Sequence, residues 1–232
     1  MRPMNLRVIC AAVLLAAPCT SVAAESDPWE VANRKVFAFN DGVDTLVLKP
    51  LAQGYQAAVP SLGRSAVGNL FSTLSEIPSF VNSVLQGNPD KAATALGRFV
   101  FNATFGLYGL IDVSTAFGLQ QQKEDFGQTL AYWGVESGPY LMLPLLGPST
   151  VRDAAGRFSV DAQLDAIDHL NPSSHRLPTR VLDVVDTRES LLVAERFLIG
   201  DRYTAVRNAY FDRRDYLIND GAATGADDFL DE

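Results

Sequence analysis

In the stretch DPWEVANRKVFAFND and the residues after it, Trp29, Ala32, Val36, Phe39, Val43 and Leu46 recur at spacings of three and four. That period predicts a helix with one apolar stripe. Asp27 with Pro28 after it, and Glu30 three residues on, reads as a capped start, and Pro50 sets the expected end. Asn33 and Asn40 run along one edge of the stripe. Phe37 falls off it, among Glu30, Asn33, Asp41 and Asp44. It either makes a second packing contact inside the domain or faces lipid, a ligand or a partner.

The next apolar positions, Leu62, Ala66, Leu70, Leu74 and Ile77, again have helical spacing. Pro78 is expected to kink or restart that helix, with Phe80, Val81, Val84 and Leu85 continuing it. Its only charges are Arg64 and Glu76, few for a solvated helix. Asn88-Pro89-Asp90 predicts another capped start, opening a helix through Leu96, Phe99 and Val100.

That helix leads into FVFNATFGLYGLIDVSTAFGLQQQ, between Arg98 and Lys123, where Asp112 is the only charge. As a transmembrane helix the stretch is poor. Gly106, Gly109 and Gly118 each cost up to ~1 kcal/mol against alanine, and Asp112 adds about 2.5–3.5 kcal/mol. A helix, a glycine-hinged turn and a second apolar segment fit better. Such a unit is either a core hairpin or a segment that touches lipid without crossing it, and the residues alone leave both open.

Phe126, Leu130 and Trp133 make a short apolar face. Tyr140 to Leu146 is uncharged and interrupted by Pro144, which excludes a regular central strand. Thr150 with Asp153 three residues later starts another helix. Val181, Val184, Val185, Leu191, Leu192, Phe197 and Leu198 predict an amphipathic helix, and Tyr203, Val206, Tyr210 and Leu217 a second one from Asp201. Strand-type alternation is scarce. The expected fold class is all-α, with one helical domain over 25–220 and an acidic tail, 221–232, of disordered composition.

The N-terminus changes the picture of where the chain works. Arg2 and Arg7 precede an apolar run from Val8 to Ala17, then small residues, the layout of a secretory signal over 1–24. Cys19 offers lipoprotein processing instead, but Pro18 stands where that pathway requires a small residue. With cleavage after Ala24 both cysteines leave, and the remainder has no disulfide. The full chain carries 19 basic and 27 acidic residues, a net charge of −8. Loss of Arg2 and Arg7 makes it more acidic, so it has no electrostatic reason to bind nucleic acid or an anionic lipid surface.

Catalytic signatures are absent. His169 and His175 have no zinc-ligand spacing, GRSAVG is not a nucleophile elbow, and no nucleotide-binding glycine motif occurs. Asp183 and Asp186, with Arg180 and Arg188 nearby, read as an ion-paired surface. No enzyme, metal or cofactor is expected.

Taken in order, DPWEVANRKVFAFND, VLKPLAQGY, FSTLSEIPSFVNSVLQG, LGRFVFNATFGLYGLIDVS, EDFGQTLAYWGVESGPYLMLPLLGPSTVRD and YFDRRDYLIND resemble the MlaA (VacJ) family of Gram-negative outer-membrane proteins, over about 27–221. The resemblance implies a ring- or disc-like helical body embedded in the inner leaflet of the outer membrane, with a central amphipathic channel. It implies removal of mislocalised phospholipid from the outer leaflet, a trimeric porin as neighbour, and a periplasmic lipid carrier as recipient. In the matching blocks Asn33, Phe37, Asn40, Gly106, Tyr108, Gly109 and Asp112 become channel candidates. Phe71, Phe80, Phe101, Phe105, Leu107, Tyr140, Leu141, Leu143 and Leu145 become membrane-contact candidates. Phe37→Asp is then expected to cost function more than stability. Family members are typically lipoproteins, and Pro18 beside Cys19 departs from that pattern. The alternative is a soluble periplasmic helical binding or scaffold protein whose apolar stretches are core.

Overall fold

The computed structural model describes residues 27–197 and 200–220. The expected signal segment, Cys19 and the acidic tail lie outside the described residues. Helix α1 (Glu30–Val43) passes through a π-helical turn (Asp44–Leu48) into α2 (Lys49–Ala58). The expected stop before Pro50 is therefore corrected. Proline has no N–H to give the preceding turn, but the wider π turn sends the Lys49 N–H back to the Asp44 carbonyl and the rod continues. Asp27 does not cap α1. Its carboxylate accepts from Asn33 Nδ2 at 2.7 Å and from the Tyr203 hydroxyl, tying the start of the rod to the last helix.

Helix α3 (Ser61–Leu85) runs unbroken through Pro78, where a kink or restart is expected. Side-chain donors lace that turn: Ser79 Oγ reaches the Ser75 carbonyl at 2.9 Å and Asn82 Nδ2 the Pro78 carbonyl at 3.0 Å. Asn88 then caps α4 (Pro89–Phe105) as expected, accepting from the Lys91 N–H. Helices α3 and α4 pack against each other more extensively than any other described pair.

Asp112 caps the short α5 (Val113–Ala116) and Asp125 caps α6 (Phe126–Tyr132). The chain then makes a two-stranded antiparallel hairpin, β1 (Tyr140–Leu143) and β2 (Gly147–Thr150), with Tyr140 opposite Thr150 and Leu143 opposite Gly147. Pro144 sits in its turn, outside the ladder. Thr150 caps α7 (Val151–Gly156) as the sequence predicts. A π turn leads on to α8 (Ala162–Leu164), followed by 3-10 turns, α9 (Arg176–Ser190) and α10 (Arg202–Ile218). Helix α9 stops before the expected Leu198, giving way to a 3-10 turn, Ala194–Phe197. The fold is all-α with one small hairpin.

Two interiors hold these elements. Tyr140, Met142 and Tyr203 form an aromatic core against which Val36, Phe37, Val206, Tyr210 and Phe211 pack. Between α3 and α4 the interior is polar. The buried stripe of α3 is Thr73, Glu76, Ser79, Asn82 and Ser83, and that of α4 is Ala92, Ala95, Arg98 and Asn102.

Candidate functional site

The α3–α4 pair is built inside out. At spacings of three and four, both helices bury small and polar residues, Glu76 meeting Arg98 across the pair while Ser79 and Asn82 reach Glu124, Thr129 and Asp161 beside it. Small residues let the backbones approach closely, as they do where helices meet within a lipid phase. Large apolar side chains point away instead: Val84, Leu85, Leu96, Val100, Phe101 and Phe105 are exposed, and Leu70, Phe71, Leu74, Ile77 and Phe80 are only half-buried. Arg98, by contrast, is 1% exposed. The polar–apolar arrangement of a water-soluble helix pair is reversed.

Arg98 is the hub of the polar interior. Its Nε donates to Glu76 Oε1 at 2.6 Å, Nη1 to Thr115 Oγ1 at 3.1 Å and to the Leu119 carbonyl, and Nη2 to Asp112 Oδ2 at 3.1 Å. Burial pushes the Glu76 carboxyl up against the opposing pull of Arg98. Burial also works on Asp112, but hydrogen bonds from Thr115, Arg98 and Asn102 outweigh it and hold that carboxyl down at about 2. Asn102 completes the unit, donating to Asp112 Oδ1 at 3.1 Å and accepting from Ser114 N at 3.0 Å.

This network pins a loop whose tip faces outward. The backbone folds back through Gly109 N to Asn102 O at 2.9 Å and Ile111 N to Gly106 O at 2.9 Å. A Cβ on Gly106 would lie 2.1 Å from the Ile111 carbonyl oxygen, so only glycine fits. Leu107, Tyr108 and Gly109 follow with positive φ. For the two non-glycine residues this left-handed run costs of order 1–3 kcal/mol each and is held by its surroundings. The result presents Leu107 62% and Tyr108 87% exposed, beside exposed Leu110 and Ile111. Phe105 stacks on Phe101 with centroids 5.9 Å apart, and Phe117 meets Phe101 at 5.8 Å, giving an exposed aromatic patch.

The structure divides the channel candidates. Gly106, Tyr108, Gly109 and Asp112 come together in this loop, where Asp112 is engaged inward by Arg98 and Asn102. Asn33, Phe37 and Asn40 lie elsewhere, on the face of α1 that holds the hairpin. Asn33 is buried, donating to the Tyr140 carbonyl at 3.0 Å and accepting from Met142 N at 2.9 Å. Two turns on, Asn40 donates to the Leu143 carbonyl at 2.9 Å and accepts from Leu145 N at 2.8 Å. The two amides stand in for a third strand along the free edge of β1. Phe37 meets the Tyr203 ring edge-on at 5.6 Å, so it is the second packing contact. The regular stripe of α1 is divided: Val36 packs against the aromatic core, while Trp29, Phe39 and Leu46 are exposed.

Among the membrane-contact candidates, Phe101, Phe105, Leu107 and Leu145 are exposed, while Phe71, Phe80, Leu141 and Leu143 are half-buried. Tyr140 is corrected: it is fully buried between Tyr203, Tyr210 and Phe211 and cannot touch a membrane. The surface reading of α9 also changes. Arg188 pairs with Asp44 and Glu195, Arg180 with Asp165 and Asp168, and Asp186 accepts from the Tyr55 hydroxyl. Sequence reasoning missed the Glu76–Arg98 pair and the outward Val100, Leu110, Ile111 and Phe117. The available signal was one opposite charge far from the first turn of each of two neighbouring helices, Glu76 in α3 and Arg98 in α4, each flanked by uncharged residues. Among the described residues no helix is long and apolar enough to cross a membrane.

Known proteins share this chain's sequence and arrangement. Residues 25–217 match the MlaA lipoprotein family. The intermembrane phospholipid transport system lipoproteins MlaA of Escherichia coli K12 and Haemophilus influenzae are 34% and 30% identical, over 87% and 94% of this chain and 82% and 93% of their own lengths. An uncharacterized protein of Rickettsia typhi is 34% identical over 79% of this chain and 74% of its own. A solved chain from work on the structural basis for maintenance of bacterial outer membrane lipid asymmetry superposes with a TM-score of 0.73 at 36% identity, covering 84% of this chain and all (100%) of that one. With a family match spanning nearly all its described residues, and relatives at this identity, the chain belongs to the MlaA lipoprotein family.

Proposed function

We propose that this protein sits in the inner leaflet of the outer membrane and carries mislocalised phospholipid out of the outer leaflet, as a non-enzymatic step of intermembrane lipid transport. The observation that carries the reading is the reversal of polarity in α3 and α4, with a buried ionic network inside and large apolar side chains, among them Leu96, Val100, Phe101 and Phe105, outside. Full transfer of one Leu- or Phe-sized side chain from water to hydrocarbon is worth about 1.5–3 kcal/mol. Phe105, Leu107 and Phe117 together therefore supply several kcal/mol of leaflet affinity without any basic patch. In that setting the polar interior gives a passage its polar side while acyl chains remain in hydrocarbon. An amphipathic channel through the body, a neighbouring trimeric porin and a periplasmic lipid carrier belong to the same proposal.

The test is phospholipid exposed in the outer leaflet of a deletion strain, with and without the gene restored. Accumulation on deletion and clearance on restoration are expected. An unchanged outer leaflet in a strain lacking other homologues would overturn the reading. Extraction separates it from the scaffold alternative, since carbonate releases a soluble scaffold and an embedded body requires detergent.

A further inference from the structure

A second polar cluster lies where α2 faces the segment joining α9 to α10. A groove of ≈ 360 Å³ there is lined by Lys49, Gln53, Gln56, Leu192, Val193 and Glu195. The Glu195 carboxylate receives three cations: Arg188 Nη2 at 2.7 Å, Lys49 Nζ at 3.0 Å and Arg202 Nη2 at 3.4 Å. Both arginines have a second anchor. Arg188 grips Asp44 through two bonds of 2.6 and 2.9 Å, and Arg202 holds Asp41 at 2.7 Å. Both aspartates belong to the continuous α1–α2 rod, so the arginines stay aimed at the same point if Glu195 withdraws. Glu195 itself rides on the 3-10 turn Ala194–Phe197, and Leu191 and Val193 just before it are exposed. Little apolar burial resists a local displacement of that carboxylate.

Guanidinium and ammonium groups that hold a carboxylate also hold a phosphodiester, which carries the same single negative charge. Exchanging one for the other leaves the charge balance of the cluster unchanged. We propose that Lys49, Arg188 and Arg202 form a station for the phosphodiester of a phospholipid headgroup, that Glu195 is the internal carboxylate it displaces, and that Leu192 and Val193 take the adjoining acyl chains. This rests on the lipid-transport reading above and adds where a headgroup pauses and what competes for the place. An internal competitor keeps binding weak enough for release, because a placeholder lowers apparent affinity by the fraction of time it occupies the site.

The test titrates the purified full chain in dodecyl maltoside with dihexanoylphosphatidylethanolamine, and separately with inorganic phosphate, following phosphorus NMR linewidths. Glu195→Gln should bind the short-chain lipid about tenfold tighter than the parent. Arg202→Gln, at a partly exposed position and with its melt checked against the parent, should bind it about tenfold weaker. Equal affinities for parent and Glu195→Gln would overturn the placeholder role. Unchanged binding in both Arg202→Gln and Arg188→Gln would overturn the station. Phosphate binding as tightly as lipid would make the cluster a free-anion site and overturn the lipid assignment. Outer-leaflet clearance by the parent protein in cells is read in parallel: if it is normal while the titrations fail, only the station is lost, and if it is absent, the transport reading fails on its own.

Discussion

Arg98→Leu tests how the inverted interior is held together. The substitution deletes the donors to Glu76, Asp112, Thr115 and the Leu119 carbonyl at one stroke. Asp112 is partly exposed and keeps its bonds from Thr115 and Asn102. Glu76 is worse placed. It is 1% exposed, its Oε2 already has no partner, and only Gln121 at 3.0 Å would remain on Oε1. Removing one member of a buried ion pair costs about 3–5 kcal/mol, because the other is left charged and unpaired. At 2–4 °C per kcal/mol for a chain of this size, the melting temperature in detergent micelles should fall by about 10 °C. The double variant Glu76→Leu/Arg98→Leu removes the stranded charge along with its partner, and should recover most of the loss. Circular dichroism melts and urea titrations read both. A loss below about 1 kcal/mol for the single variant, or a double variant no more stable than the single, would refute the reasoning.

Three further outcomes follow from the geometry. Gly106→Ala drives a methyl into the Ile111 and Asn102 carbonyls, so it should cost about 3 kcal/mol or more and abolish the ordered 106–111 turn, seen as lost hydrogen-exchange protection at Ile111. Phe37→Asp should destabilise by about 2–4 kcal/mol because its ring packs on the Tyr203 core, against the expectation that it costs function more than stability; an unchanged melt would contradict this. Asp161 has its carboxyl raised by burial to about 6, only partly opposed by the bond from the Phe126 N–H. A carboxyl whose folded value lies above its unfolded one binds protons more readily in the fold, so its contribution should be full below about pH 4 and lost as pH rises through 6. A stability profile for the parent and Asp161→Asn shows this as a decline present in the first and flattened in the second.

The sequence made most of the elements legible, because caps and periods are local. Asn88, Thr150 and the start at Asp201 stand where the structure has them. The misses are tertiary. A π turn carries the rod past Pro50, and Asp27 leaves its capping position to meet Tyr203 and Asn33. The larger misreading concerns sign. Helical period reports that a helix has two faces, but which one turns inward depends on what surrounds the protein. In α1 the regular stripe is split: Val36 faces in beside the irregular Phe37, while Phe39 and Leu46 face out. In α3 the buried stripe is Thr73, Glu76, Ser79, Asn82 and Ser83, which an aqueous reading assigns to the surface. The loop at Gly106–Asp112 was legible as a glycine-hinged turn. Its anchoring by Arg98 and Asn102 was not, because those partners meet only once α4 and α5 are folded.

The most direct measurement of the central claim is the immersion of the outward apolar positions. Spin labels at single cysteines replacing Phe105, Leu107 and Phe117, in the full chain reconstituted into phospholipid bilayers, would be compared with a label at the exposed polar Asp90. Collision with dissolved oxygen should be high and with a water-soluble nickel chelate low at all three apolar positions, with the reverse at Asp90. Nickel accessibility at positions 105, 107 and 117 equal to that at 90 would contradict a lipid-facing exterior.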